Sequence, residues 1–424
     1  MSTAAEAKSL LRQGRLAEAE KLFEQLLERS PDDVEILNAV AIGSLRRADS
    51  NRSITLLERA LRLQPRDPVS HYHLGRARSA AGDPTRAAES YGTAVGLLPD
   101  FYTARLHFAA ALDQLGESPR VPSQYLRALQ DAQRLGHWLN PDTTPRGLQP
   151  MVTRAVLVVR AAGRSMCESL MAPVRARYGA DSLTRVEEAV RYYLLEAQAQ
   201  HPDPRQQPTF FYVPGLPASP YLDRSLFPWI DALEARTGAV RAELERLLPS
   251  AQGRERVFGS EALEQENLRG NGAAPSWNGY YLYRYGVRRD DNCRACPDTA
   301  TALDGVPLCH IREHAPEALF SVFTAGTHLL PHRGVTNARL VAHLPLIVPS
   351  DCALRVGGEI HAWQEGRIVV FDDTYEHEAW NRSADIRVVL ILDVWNPHLS
   401  EAERAAIGDL VAAMGDFRRA VEQG

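Results

Sequence analysis

Proline recurs as Pro31, Pro65 and Pro99, and the 34-residue interval it marks commits the N-terminal part of the chain to a repeating architecture. Each proline closes a similar segment: GRLAEAEKLFEQLLERSP, then ADSNRSITLLERALRLQP, then GDPTRAAESYGTAVGLLP. The small residues Ala19, Ser53 and Ala87 fall twelve before each proline, and the large apolar residues Phe23, Leu57 and Tyr91 fall eight before it. A unit of this length holds two helices, and its apolar faces are buried only when neighbouring units stack. The small positions let helices approach closely, and the large ones fill the gaps between them. A further helix over about Tyr102 to Leu115 extends the stack, after which the period is lost.

Three units in phase resemble the tetratricopeptide repeat. The resemblance implies an all-α solenoid over residues 1–118 whose concave groove holds a peptide or protein substrate. The alternative is a stack that packs on its own catalytic domain or forms a dimer. From about Arg120 to Gln200 the apolar spacing stays helical without repeating, which predicts a helical linker region over 119–205. The proline-rich HPDPRQQPTFFYVPGLPASP marks the approach to a third region, 206–424. There SLFPWIDALEARTGAVRAELERLLP predicts one amphipathic helix covering a β-core.

The length of 424 residues accommodates two or three domains, so the class is α+β multidomain. A net charge of −5 gives no electrostatic footprint for nucleic acid. No run of 18 apolar residues is present, so membrane insertion is not expected. The N-terminal MSTAAEAKSLLRQGR lacks an apolar signal segment, and five cysteines are an odd number for a disulfide scaffold. Both features predict a cytoplasmic protein with reduced thiols.

Seven of the thirteen histidines lie between His310 and His377, within short Val-, Ile-, Leu- and Phe-rich runs punctuated by Gly, Pro, Asn and Asp. Such runs predict short strands. His332 and His377 stand at strand edges beside turn residues, where imidazoles can face a metal. A mononuclear iron site commonly combines two histidines with one carboxylate. Here His332 is followed by Arg333 and Gly334, a glycine where the carboxylate belongs, and His377 comes 45 residues on.

PHRGVTNARL, the WQEG turn, FDDTYEHEAWN and RVVLILDVWNP together resemble the aspartyl/asparaginyl β-hydroxylases, over roughly Thr209 to Leu410. That resemblance implies a double-stranded β-helix (jelly-roll, cupin-like) and an oxygenase using Fe(II), 2-oxoglutarate and O2. It implies His332 and His377 as catalytic metal ligands with no protein carboxylate. It also implies Arg387 and Ser321 at the distal carboxylate of 2-oxoglutarate, with His343 near the other end. Where animal members have an arginine two before that histidine, this chain has Val341, and Arg339 lies two earlier still. Residues 339, 341 and 343 share a strand face, so Arg339 is a candidate contact to the cosubstrate.

The implied reaction is hydroxylation of an aspartyl or asparaginyl β-carbon in a peptide, protein or amino-acid-derived substrate. The same resemblance admits a non-peptide small molecule. The rival from another class is a repeat scaffold whose β-domain has lost turnover, and a metal other than iron at the same two histidines stays open.

Tyr280, Tyr281, Tyr283 and Tyr285 form an aromatic run followed by Arg288 and Arg289, which predicts a site wall suited to an anionic substrate, with Tyr283 and Arg288 as contacts. Cys293, Cys296, Cys309 and His310 offer zinc-type ligands, but adjacent Cys309 and His310 pair awkwardly, so free or reversibly paired thiols are expected. Asp372 and Asp373 are expected to hold the turn before His377. Trp363 and Trp380 are expected in the core. His310, His314, His328, His361 and His398 are expected to be ordinary surface or core histidines.

Overall fold

The computed structural model describes residues 3–116, 119–250, 252–270 and 275–423. Its contacts divide the chain into two units, residues 1–163 with 417–424, and residues 164–416.

The first unit stacks helices α1 (Ala4–Arg12), α2 (Leu16–Arg29), α3 (Val34–Arg46), α4 (Ser50–Leu63), α5 (Pro68–Ala80), α6 (Pro84–Leu97), α7 (Tyr102–Leu115) and α8 (Val121–Arg134). The start signals repeat with the same period as the prolines. Asp33 and Asp67 cap α3 and α5, and Asp49 and Asp83 cap α4 and α6, each carboxylate accepting from backbone N–H groups of the first turn. Such caps contribute about 1 kcal/mol each. Ala19, Ser53 and Ala87, and Phe23, Leu57 and Tyr91, are all buried between helices, as their spacing predicts. At Gly75 the approach is so close that an added Cβ would lie 2.6 Å from the Tyr91 ring. The stack does not end where the period is lost, because α8 carries Tyr125, Ala128 and Leu129 into the same core as α7.

The second unit is built on antiparallel strands: β1 (Arg254–Arg256), β2 (Leu268–Gly270), β3 (Trp277–Arg284), β4 (Val287–Arg288), β5 (Ala318–Phe323), β6 (Thr327–His332), β7 (Arg339–Ile347), β8 (Cys352–Val356), β9 (Glu359–Ala362), β10 (Val369–Phe371), β11 (His377–Asn381) and β12 (Arg387–Trp395). One sheet runs β1-β3-β5-β12-β7-β10 with β4 beside β3, and the other runs β2-β6-β11-β8-β9. Alternation divides each strand between two environments. Phe320, Val322, Leu340, Ala342, Leu390 and Leu392 face an outer core shared with helices Thr237–Leu247 and Pro297–Leu303. Phe323, Val341, Phe371 and Val389 face inward, against Leu329, Leu354, Val356 and Ala379 of the second sheet.

The covering helix expected over SLFPWIDALEARTGAVRAELERLLP is in fact two, Ile230–Glu234 and Thr237–Leu247. The Thr237 hydroxyl donates to the Glu234 carbonyl at 2.6 Å, and the Glu234 carboxylate accepts from Ile368 N–H at 2.8 Å. A side chain serving the backbone at the junction, together with a tie to the neighbouring sheet, breaks the helix there.

Candidate functional site

Plain alternation would turn His332 away from the inner face that Leu329 occupies. It does not, because β6 carries a bulge: His377 pairs with His332 but Ala379 pairs with Leu329, so β6 holds one residue more than β11. The extra residue, in the stretch containing Pro331, resets the parity and aims His332 inward. The His332 and His377 rings come to 4.0 Å between centroids.

Each imidazole is oriented by its own strand. His332 Nδ1 is 2.9 Å from the Leu330 carbonyl, and His377 Nδ1 is 3.0 Å from the Tyr375 carbonyl. A carbonyl can only accept, so each Nδ1 carries the proton and each Nε2 keeps its lone pair. Burial pushes the His377 imidazole down to about 3, with neighbouring His332 adding to the shift, and burial lowers His332 as well. Two neutral imidazoles side by side, with both Nε2 atoms available, are what a divalent metal needs from histidine. Among the described residues no cluster of three or more His, Cys, Asp or Glu side chains has metal-binding geometry.

Gly334 marks where a carboxylate would stand in a three-ligand site, and no side chain fits there. Gly334 N–H donates to the Asp373 carbonyl at 2.6 Å, and an added Cβ would collide with the Asp373 carboxyl. Asp373 is paired with Arg339, which also reaches Asp393 at 3.2 Å. Asp372 holds the turn as expected, accepting from Thr374 N–H at 2.9 Å and from Gln206 Nε2 at 2.6 Å. Asp373 is instead half of a buried ion pair.

From the histidine pair an unbroken run of side chains crosses the inner face. His377 lies 5.7 Å from the Phe371 ring, Phe371 lies 5.0 Å from His343, and His343 lies 5.8 Å from Trp363. The Arg387 guanidinium carbon sits 4.9 Å from the Trp363 ring and 3.7 Å from the Phe323 ring. Arg387 is 2% exposed and lies on β12, paired opposite Phe323. No carboxylate of the described residues pairs with it, and its only hydrogen bonds go to Ser321, at 3.3 Å to Oγ and 3.5 Å to the carbonyl. Burial pulls the guanidinium down to about 9. Arg387 Nε, His343 Nδ1 and Trp363 Nε1 are all buried without a hydrogen-bond partner among the described residues. A buried cation beside unpaired polar groups is costly unless a ligand completes them. This end of the run suits an anion, and the histidine end suits a metal.

The structure thus brings His332, His377, His343, Ser321 and Arg387 onto one inner face. Arg339 shares the face but is neutralised by Asp373 and Asp393, so it is not an open cation for a cosubstrate. Val341 is buried in the inner core. Tyr283 and Arg288 are not brought to the site. A register shift between Tyr281 and Tyr283 turns Tyr283 to the outer side, against the helix-covered core and His310, and exposed Arg288 pairs with Asp290. Cys293 and Cys296 lie in the outer core while Cys309 lies in a different one, and all are free thiols, so the zinc set does not converge. Trp363 is buried in the inner core, as expected, but its place in the site was not foreseen, and Trp277 was not singled out at all. Trp363, in the WQEG turn, lines the site, and Trp277, at the start of β3, donates its indole N–H to Ser321 Oγ at 2.9 Å.

Residues 234–397 match the sequence family described as Aspartyl/Asparaginyl beta-hydroxylase, and residues 4–68 and 41–100 match the Tetratricopeptide repeat. The chain is 31% identical over 233 residues to human Aspartyl/asparaginyl beta-hydroxylase, covering 54% of this chain and 29% of that one. It is 37% identical over 186 residues to the Ornithine lipid ester-linked acyl 2-hydroxylase of Rhizobium tropici, covering 43% and 63%. Human Aspartate beta-hydroxylase domain-containing protein 2 is 32% identical over 246 residues, covering 56% and 63%. The chain therefore spans less than two thirds of the length of each of these relatives. Among the described residues no helix is long and apolar enough to cross a membrane.

Proposed function

We propose that this chain, whose residues 234–397 match the aspartyl/asparaginyl β-hydroxylase family, is an Fe(II)- and 2-oxoglutarate-dependent hydroxylase, its two packed sheets forming a double-stranded β-helix. The observation that carries the proposal is Arg387, a buried cation without a counter-ion among the described residues, at one end of the side-chain run that begins at two metal-ready histidines.

His332 and His377 would hold Fe(II) through Nε2, their other nitrogens fixed by the Leu330 and Tyr375 carbonyls. When bound, Fe(II) supplies the chemistry by which 2-oxoglutarate and O2 become succinate and CO2 while one oxygen atom enters a C–H bond. Arg387 would take the distal carboxylate in a two-pronged, charge-assisted contact that lysine cannot reproduce. Ser321 adds a hydroxyl at the same end, and His343 an imidazole along the way. Phe371, Val341 and Val389 keep the space between apolar and dry, which strengthens each polar contact.

The substrate is taken to be an aspartyl or asparaginyl side chain, with the repeats as a holding surface for a peptide. A second reading, the same chemistry on an acyl chain, draws on the similarity to the acyl 2-hydroxylase and on Val341, which puts an apolar surface where animal relatives carry a cation.

The two are separated by incubating the full chain with Fe(II), 2-oxoglutarate and isotope-labelled dioxygen, with Asp- and Asn-containing peptides in one arm and an acyl-chain lipid in the other. Label in a peptide supports the first reading, and label in an acyl chain replaces it with the second. Label in neither, with no consumption of 2-oxoglutarate, would leave the chain as a repeat scaffold.

A further inference from the structure

Ser321 is fully buried on the inner face of β5, and its hydroxyl oxygen is already committed as an acceptor. Trp277 Nε1–H donates to Oγ at 2.9 Å, and an Arg387 terminal N–H donates to the same atom at 3.3 Å. A hydroxyl has two lone pairs and one hydrogen. With both lone pairs engaged, the hydrogen must point away from both donors, and none of the described residues provides an acceptor for it. A buried O–H needs a partner. The free Nε edge of Arg387 lies on the neighbouring strand, since Val389 pairs with Ser321 and Arg387 with Phe323. Among the described residues, two buried donors on adjoining strands thus lack acceptors.

We propose that Trp277 is a positioning residue that obliges the Ser321 hydroxyl to donate toward the distal carboxylate of the cosubstrate, and so makes this corner select a carboxylate over a carboxamide. The inference rests on the proposed use of 2-oxoglutarate. A carboxylate oxygen offers only lone pairs, whereas an amide NH2 would set donor against donor. The indole is held in place to do this. Its ring meets Phe323 at 5.6 Å and 85° and Phe258 at 5.4 Å and 79°, and the Trp277 backbone N–H donates to the Glu264 carboxylate at 3.2 Å. If the indole N–H is removed, one lone pair of Oγ becomes free and the hydroxyl can turn to accept from an amide.

The test uses the full chain loaded with Mn(II), and two probes: N-oxalylglycine, a non-reacting isostere of 2-oxoglutarate, and the same compound with its distal carboxylate converted to carboxamide. Affinities are measured by calorimetry for the parent, Trp277→Phe, Ser321→Ala and the double variant, with thermal midpoints alongside. Trp277→Phe should cut the acid-over-amide preference by about five- to tenfold, the range of one hydrogen bond. Ser321→Ala should cut it as much, and the double variant should match Ser321→Ala alone.

The inference is overturned if Trp277→Phe weakens both probes equally, the mark of a packing role, or if its effect adds in full to that of Ser321→Ala. Trp277→Tyr is the second ring-retaining variant should the first not fold, and an unchanged preference in Ser321→Ala alone refutes the inference whatever happens at Trp277. A parent that binds neither probe removes the proposed cosubstrate, and this inference with it. A parent that binds the acid but fails the cycle removes only the role of Trp277.

Discussion

Arg387 shows how a single residue can weaken a fold in order to serve a site. Its guanidinium is buried between Phe323 and Trp363 with no carboxylate of the described residues beside it, and burial pulls it down to about 9. For a base, a lowered value means the unfolded chain holds the proton more tightly, so the charged form costs stability at neutral pH. Arg387→Met keeps an unbranched apolar chain and removes the charge. It should stabilise the ligand-free protein by about 1–4 kcal/mol, the order seen when buried ion pairs give way to packed apolar groups. Urea unfolding measures that gain. The same variant should lose 2-oxoglutarate affinity by about a hundredfold or more, since a charge-assisted contact is removed at a desolvated position. An unchanged urea midpoint together with unchanged binding would mean that Arg387 already has a counter-ion in solution.

At the scale of the element, two register shifts decide what the site contains. The bulge in β6 turns His332 inward beside His377, and the shift in β3 turns Tyr283 outward. Deleting Pro331 removes the extra residue, so plain alternation then holds His332, now two positions after Leu329, on the inner face opposite His377, and Mn(II) binding should persist where His332→Ala abolishes it. Far-UV circular dichroism should stay close to that of the parent, because the β6–β11 pairing can close over the deletion. Loss of metal binding in a folded deletion variant would mean that the bulge itself, and not only the parity it sets, places the imidazole.

The same shifts mark the limit of what the chain reveals when read as letters. The helical repeats were legible because their packing is local and returns at a fixed interval, down to Ala19, Ser53 and Ala87. His332, His377, Ser321 and Arg387 were legible through motif order, and all four lie on the inner face. Tyr283 misled because strict alternation puts it on the face of Trp277, and a bulge leaves no mark in composition. Trp363 was rightly read as core and Trp277 was not singled out, because a tryptophan beside a strand shows no further part in a site until its N–H is followed to a partner, or to none. Arg339 looked like an open cation because its two carboxylates, Asp373 and Asp393, are distant in sequence.

At the scale of the whole molecule, the division into a repeat unit and a β-unit separates two kinds of stability. Gly75→Ala forces a Cβ against the Tyr91 ring, where the gap is 2.6 Å, and overpacking of this kind costs about 1–3 kcal/mol. The loss should appear in the unfolding of the helical unit, while 2-oxoglutarate affinity, proposed for the inner face of the β-unit, stays that of the parent. A matching loss of affinity would mean that the two units fold as one.

The central claim is that His332, His377 and Arg387 form one oxygenase site, and succinate tests it most directly. The full chain, loaded anaerobically with Fe(II) and 2-oxoglutarate, should release succinate when air is admitted, and His377→Ala treated identically should release none. Slow release without a substrate still satisfies the prediction, provided that the variant is silent. Equal release from both proteins, or none from a parent shown to hold iron and 2-oxoglutarate, would contradict it.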